Sequence, residues 1–169
     1  MTPKSRYIVL PALLAFLSAC NPVEIAAVPE EIKPGTACSM DGMILADFPG
    51  PKAQINYASG KPDFFCDTVE MFSIYLKPEE QKRITGIFTQ DMGKTDWETP
   101  QGNWIDARQA YYVLGSSKTG SMGPTLASFS EQKAAEAFST QYGGKVLRFD
   151  EVTLEMSDLS GGAKHNNHM

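Results

Sequence analysis

The apolar positions along the chain fall first into one unbroken run and then into short periodic stretches. The run spans Tyr7 to Ala19 and follows the basic residues Lys4 and Arg6. Asn21 to Pro34 carries several acids and three prolines, Pro22, Pro29 and Pro34, and predicts an extended tether. Ala53–Tyr57 then alternates as a strand does, Ser59-Gly60-Lys61-Pro62 reads as a turn, and Asp63–Cys66 reads as a second short strand. Val69, Phe72 and Leu76 share one face at helical spacing, and Asp67 and Glu70 stand three apart as in a capping box. Pro78 ends or restarts that helix. Ile84–Gln90, Trp104–Asp106 and Ala110–Gly115 are rich in β-branched and aromatic residues and predict strands. Ser116–Pro124 reads as a loop and Leu126–Phe129 as a short strand. Ser130 suits the N-cap of the clearest helix, with Ala134, Phe138 and Tyr142 four apart on one face and Gly143-Gly144 as its stop. Val146–Phe149 predicts a closing strand, and the tail after Ser160 predicts disorder.

A weak internal echo runs through this order. Each half has an aromatic just before a capped helix, Phe65 ahead of Asp67 and Phe129 ahead of Ser130. The echo fits two related small α+β lobes, and it fits chance. The chain's 169 residues allow one domain or two very small ones.

The N-terminal run is too short to span a bilayer, which takes about 20 apolar residues. With its basic start it suits a signal peptide over residues 1–19. Leu17-Ser18-Ala19-Cys20 matches the lipobox of bacterial lipoprotein precursors, so cleavage before Cys20 and lipidation of Cys20 are expected. Asn21 replaces the Asp read as an inner-membrane retention signal, which favours the outer membrane, on its periplasmic face. The formal net charge is −5, and loss of Lys4 and Arg6 makes the remainder more acidic. That excludes nucleic acid as a partner, since phosphates demand a basic surface. It also excludes polybasic membrane docking.

Cys38-Ser39-Met40-Asp41-Gly42-Met43 places one thiol and two thioethers in six residues. These soft donors match Cu(I). Gly42 lets the backbone turn so that the sulfurs converge. Asp41 is the only hard donor in the loop, so the segment fits zinc poorly. The sequence has no CxxC and no CxxCH, which argues against a thioredoxin-like centre and covalent haem. No Ser-His-Asp or Cys-His arrangement is present, because the two histidines, His165 and His168, both lie in the tail; the chain does not read as an enzyme. Two readings of the cysteines stand. Cys38 ligates metal while Cys66 is a small buried hydrophobe, or Cys38 and Cys66 form a disulfide in an oxidising compartment and the chain is a structural or docking module.

The lipobox followed by CxMxxM, the Phe64-Phe65-Cys66 stretch with Glu70-Met71-Phe72, Met122-Gly123-Pro124, and Val146–Val152 after Gly143-Gly144 together resemble the NosL family of nitrous-oxide-reductase copper accessory proteins. The resemblance covers about residues 36–153. It implies an α+β fold of two small related ββα-type lobes packed together, preceded by a lipidated flexible tether. The corresponding division is a tether at 20–35, a first lobe at 36–95 with the CxMxxM loop, a second at 96–157, and a disordered His-containing tail at 158–169. It implies Cu(I) as cargo, Cys38 as thiolate ligand, Met40 and Met43 as thioethers, and Met122 as a ligand from the other lobe. The implied partners are nitrous-oxide reductase and an ABC-transporter-associated periplasmic maturation protein. His165 and His168 look like a second, weaker metal-capture site. The alternative of a general copper-resistance buffer stays open.

Overall fold

The computed structural model of the protein describes residues 27–77 and 83–158. Its strands are β1 (Ala53–Tyr57), β2 (Asp63–Phe65), β3 (Ile84–Gln90), β4 (Trp104–Asp106), β5 (Tyr111–Gly120), β6 (Gly123–Phe129) and β7 (Lys145–Arg148). The helices are α1 (Thr68–Tyr75) and α2 (Gln132–Tyr142). One antiparallel sheet runs β2-β1-β3-β4 and the other β6-β5-β7. The fold is α+β, and the echo is real as topology. In each half a hairpin leads into a helix, and the next strand returns to pair with the hairpin's first strand.

The two sheets share one core. Ala53, Ile55 and Ile87 of the first sheet, Tyr112, Leu126 and Leu147 of the second, and Val69, Met71 and Phe72 of α1 belong to a single buried cluster. Phe72 meets Tyr112 edge-on at 5.0 Å and Phe149 at 5.1 Å. The Tyr112 hydroxyl, taken into this core, donates to the Ala107 carbonyl at 2.7 Å, as a buried phenol must to offset its lost hydration. The sequence gives α1 one apolar face, but Thr68 to Ser73 are buried on every side. The cause is position: α1 contacts β1 and β2 on one side and β6 on the other. The helix end at Leu76 agrees with the reading; Pro78 lies outside the described residues.

Three local expectations change. Ser116–Pro124 is not a loop: β5 continues to Gly120, and Gly120 pairs with Gly123 across a turn holding only Ser121 and Met122. The extension is held by Trp97, whose indole N–H donates to the Thr119 carbonyl and whose ring receives Lys118. Ser130 is not the N-cap of α2. That position is Glu131, without a side-chain cap bond, and the Ser130 hydroxyl donates instead to Asp91 at 2.5 Å. The described part of the stretch read as a tether lies against the first sheet. The Glu30 N–H and carbonyl bond the Gln54 amide at 2.8 and 2.9 Å, and Asn56 donates to the Val28 carbonyl. This covers the outer face of β1 and explains why Ala53, Gln54 and Ile55 are all buried.

Candidate metal site

The soft-donor loop is a tight hairpin. Ala37 and Ile44 form an antiparallel bridge, the Cys38 N–H donates to the Met43 carbonyl at 2.8 Å, and the Gly42 N–H donates to the Cys38 carbonyl at 3.0 Å. Gly42 takes φ +80°, a conformation that needs glycine here. The Asp41 carboxylate accepts the Met43 N–H at 2.9 Å, closing an Asx turn. Two bonds stitch the loop to β2: the Ser39 N–H donates to the Phe64 carbonyl at 2.7 Å, and the Phe64 N–H to Ser39 Oγ at 3.1 Å. The loop therefore has a fixed inner and outer side. Cys38 points in and is 4% exposed, while Met40 points out and is 40% exposed. Met43 is half-buried against Cys38, Leu45 and Cys66.

The inner side faces the start of α1. Asp67 caps the helix, accepting the Val69 N–H at 3.0 Å as expected. Glu70 departs from the capping-box expectation. Its carboxylate accepts the Cys66 N–H at 3.1 Å and receives both thiols, with Cys38 Sγ and Cys66 Sγ each 3.2 Å from the same Oε2. One donor atom from each of Cys38, Asp41, Cys66 and Glu70 lies within 4.8 Å of all the others. Cys38 and Cys66 are free thiols, so the bridge of the disulfide reading is not formed. The donor count used against zinc also changes, since folding adds a thiol and a carboxylate to the loop's own donors.

The third wall is the β5–β6 turn. Gly120 packs so closely on Asp67 that a Cβ there would collide with the carboxylate and with Thr125. Thr125 donates to Asp67 at 2.7 Å, and Thr68 donates to the Leu126 carbonyl at 2.6 Å, clamping β6 to α1. The Ser121 hydroxyl is buried beside Cys66 with no well-formed hydrogen bond. Met122, next in the turn, is 47% exposed and is not core filler.

These groups shift one another. A hydrogen bond from the Cys66 thiol holds the Cys38 thiol down to about 6 against the effect of burial, helped by the backbone at Cys66, Met40 and Asp41. The same bond, burial and Glu70 push the Cys66 thiol up. Burial, and then the Cys38 charge, raise Glu70 to about 7. Burial raises Asp67 to about 6, against hydrogen bonds from Val69 and Thr125. Beneath them Lys52 is buried, donating to the Pro49 carbonyl at 2.8 Å and the Cys66 carbonyl at 3.1 Å. Burial lowers Lys52 to about 8, against the pull of Asp67, Cys66 and Glu70.

Of the residues singled out in the sequence, Cys38 and Met43 lie at the centre, with Met40 on the outer rim. The turn that carries Met122 reaches the Cys66 side of the cluster through Ser121. Cys20, His165 and His168 lie outside the described residues. Sequence reasoning missed Cys66, Glu70, Lys52 and Ser121 as parts of the site. Cys66 precedes the N-cap Asp67 and lies outside the helix, so no helical spacing marked its pairing with Glu70. No helix of the described residues is long and apolar enough to cross a membrane.

Residues 29–157 match the family model described as NosL. The chain is 39% identical over 161 residues to the copper-binding lipoprotein NosL of Stutzerimonas stutzeri, covering 92% of this chain and 84% of that protein. It is 38% identical over 163 residues to the protein of the same name from Achromobacter cycloclastes, again covering 92% and 84%. The crystal structure of the copper chaperone NosL from Shewanella denitrificans matches it with a TM-score of 0.71 at 42% identity, covering 75% of this chain and 96% of that one.

Proposed function

This chain belongs to the NosL family, and from that premise we propose that it is a lipid-anchored carrier of Cu(I) that delivers copper for assembly of the nitrous-oxide reductase copper centre. It works at the periplasmic face of a bacterial membrane, the outer membrane being favoured, held there by Cys20. It is a binding protein, not an enzyme. Its relatives' names, copper-binding lipoprotein and copper chaperone, support the cargo.

The observation that carries the reading is a buried thiol two residues from an exposed thioether on one rigid loop, Cys38 and Met40. A carrier must bind tightly and still release. Cys38 supplies the anionic soft donor, with its thiol already poised toward the thiolate. Met40, Met43 and Met122 supply neutral thioethers, which hold Cu(I) at any pH and leave more readily than a thiolate. Met40 also lines a groove of about 610 Å³ with Ser73, Lys77 and Leu154. That opening gives an acceptor's ligand access to the ion, so transfer runs by ligand exchange with no free copper. The acceptors are nitrous-oxide reductase and the ABC-transporter-associated maturation protein. His165 and His168 form a second, divalent capture site.

A Cu(I) competition titration of the full-length chain in detergent, under reducing conditions, tests this. Wild type binds one Cu(I) tightly. Cys38→Ser loses tight binding, and Met40→Ala, Met43→Ala and Met122→Ala each weaken it less. Wild-type affinity in Cys38→Ser overturns the assignment. Mass spectrometry of the membrane fraction checks the anchor, which an unmodified Cys20 would rule out.

A further inference from the structure

We propose that Cys66 is a second thiolate ligand, so that Cu(I) is held between two cysteine sulfurs, with the thioethers on the outer side. This rests on the copper reading above and changes its centre. The sequence gives Cys66 the part of a small buried hydrophobe, and its 0% exposure alone would agree.

Its surroundings do not agree. A packing thiol is inert and needs only apolar neighbours. Cys66 has around it the Glu70 carboxylate at 3.2 Å and the Ser121 hydroxyl. Ser121 Oγ and Asp67 Oδ2 are both buried without a hydrogen-bond partner. Buried polar atoms without partners are rare and costly, and an ion or water is one of the ordinary explanations. Of these, Ser121 Oγ stands beside Cys66, while Asp67 Oδ2 lies against Gly120.

The two sulfurs also arrive by independent routes at one place. Cys38 comes from a hairpin pinned to β2 by Ser39, and Cys66 from the backbone leading into α1. Both end 3.2 Å from the same Glu70 oxygen, and their donor atoms belong to one group within 4.8 Å. They are unjoined. A soft monovalent ion is well served by two thiolates.

The charge of such a pair has a buried counterpart in the site. Near neutral pH binding expels the Cys66 thiol proton to water, Cys38 being already poised as thiolate, and leaves a pair of thiolates around one Cu(I), a unit of charge −1. The buried Lys52 ammonium, one peptide away through its bond to the Cys66 carbonyl, supplies a matching positive charge. Glu70, relieved of the thiol hydrogen bonds, keeps the Cys66 N–H and so holds the backbone of that ligand in place.

The test uses the full-length chain in detergent, with Cu(I) as probe. Competition titration of Cys66→Ser should show a loss of affinity of at least about 100-fold, beyond the 10–100-fold that follows loss of an outer partner. Met40→Ala should lose less. If Cys66→Ser stays folded by circular dichroism and binds Cu(I) within about threefold of wild type, Cys66 is a packing residue and the proposal is wrong. X-ray absorption at the copper edge of the wild-type complex gives a second readout that no folding defect can blur. Two short copper–thiolate bonds support the pair, and one short bond with longer thioether contacts overturns it. Failure of wild type itself to bind Cu(I) would instead sink the copper reading as a whole.

Discussion

The chain builds a strand–strand–helix–strand unit twice, and the two copies can be compared position by position. Phe65 closes β2 and Phe129 closes β6. Asp67 and Glu131 are the N-caps of α1 and α2. Cys66 therefore corresponds to Ser130, and Glu70, third in its helix, to Ala134. In the first copy these positions face the soft-donor loop and hold two thiols on one carboxylate. In the second, Ser130 binds Asp91, and Ala134 packs against an apolar cluster. The backbone plan is shared; what makes one copy chemical is a few side chains and the loop laid over them. The helices differ too. α1 is wedged between both sheets, while α2 buries only Ala135 completely and packs on its own sheet.

The largest expected effect follows from that wedge. Phe72→Ala, which empties the junction of both sheets, should cost about 3–5 kcal/mol. Phe138, half-buried on α2 between Trp97, Phe129 and Tyr142, should cost about 1–2 kcal/mol on truncation. Denaturant melts of the two variants measure this directly. Equal costs would mean that the two units contribute alike to one cooperative core.

Next comes Glu70→Ala, which gives the first unit the side chain of the second. It strands the Cys66 N–H and removes the common acceptor of both thiols. The apo protein should lose about 1–3 kcal/mol, and copper affinity should fall about 10–100-fold, as for an outer partner. A variant as stable as wild type would show that Glu70 is spectator rather than support.

How much of this was legible beforehand depended on what each residue answers to. The strands β1, β3 and β4 and the helix α2 answer to local pattern, and they lie where the pattern put them. The second half of β5 does not. Ser116 to Thr119 are all polar, and the strand there is held by Trp97 and by pairing with β6, which no periodicity in the segment itself displays. Ser130 looked like a cap because its type suits one, but a buried Asp91 competes for its hydroxyl. The loop from Cys38 to Met43 announced its chemistry because its donors are neighbours in sequence. Cys66 and Glu70 did not, since their meaning depends on a hairpin far back in the chain folding over α1. Lys52 was invisible for the same reason.

A smaller effect is the pH dependence of the apo protein. Asp67 and Glu70 are raised in the folded state, to about 6 and about 7, from ordinary values of 3.8 and 4.5. Between about pH 4 and 6 the folded form thus holds more protons than the unfolded one, so stability falls as pH rises through that window. The other groups facing them leave the window clear. Cys38, lowered to about 6, acts only above it, Cys66 stays protonated, and Lys52 stays charged. In the second unit Asp91 is shifted the opposite way. Burial raises it, but hydrogen bonds from Ser130, Gly93 and Lys94 outweigh that, so its contribution is lost only at lower pH. Melting curves from pH 4 to 6 should show wild type losing stability with rising pH, and Glu70→Gln should flatten the slope. A stability that rises across this range would show that the two carboxyls are ionised in the folded protein.

The smallest effect belongs to the silent copy. Ser130→Ala removes a hydroxyl that donates to Asp91 at 2.5 Å. Asp91 keeps the Gly93 N–H at 3.0 Å and Lys94 at 3.1 Å, so its charge is not abandoned. The hydroxyl's loss should therefore cost about 1.5 kcal/mol, the lower end for a bond to a charged group. Copper affinity should not change, because nothing at this position reaches the cysteine cluster. Cys66→Ser, at the matching position of the first unit, carries the opposite expectation, a large loss of copper affinity. Measured side by side, melting temperature and Cu(I) competition give each variant one strong readout and one weak one. A Ser130→Ala protein that binds copper less tightly would mean that the two units communicate through their shared core, and the position-by-position separation drawn between them would have to be abandoned.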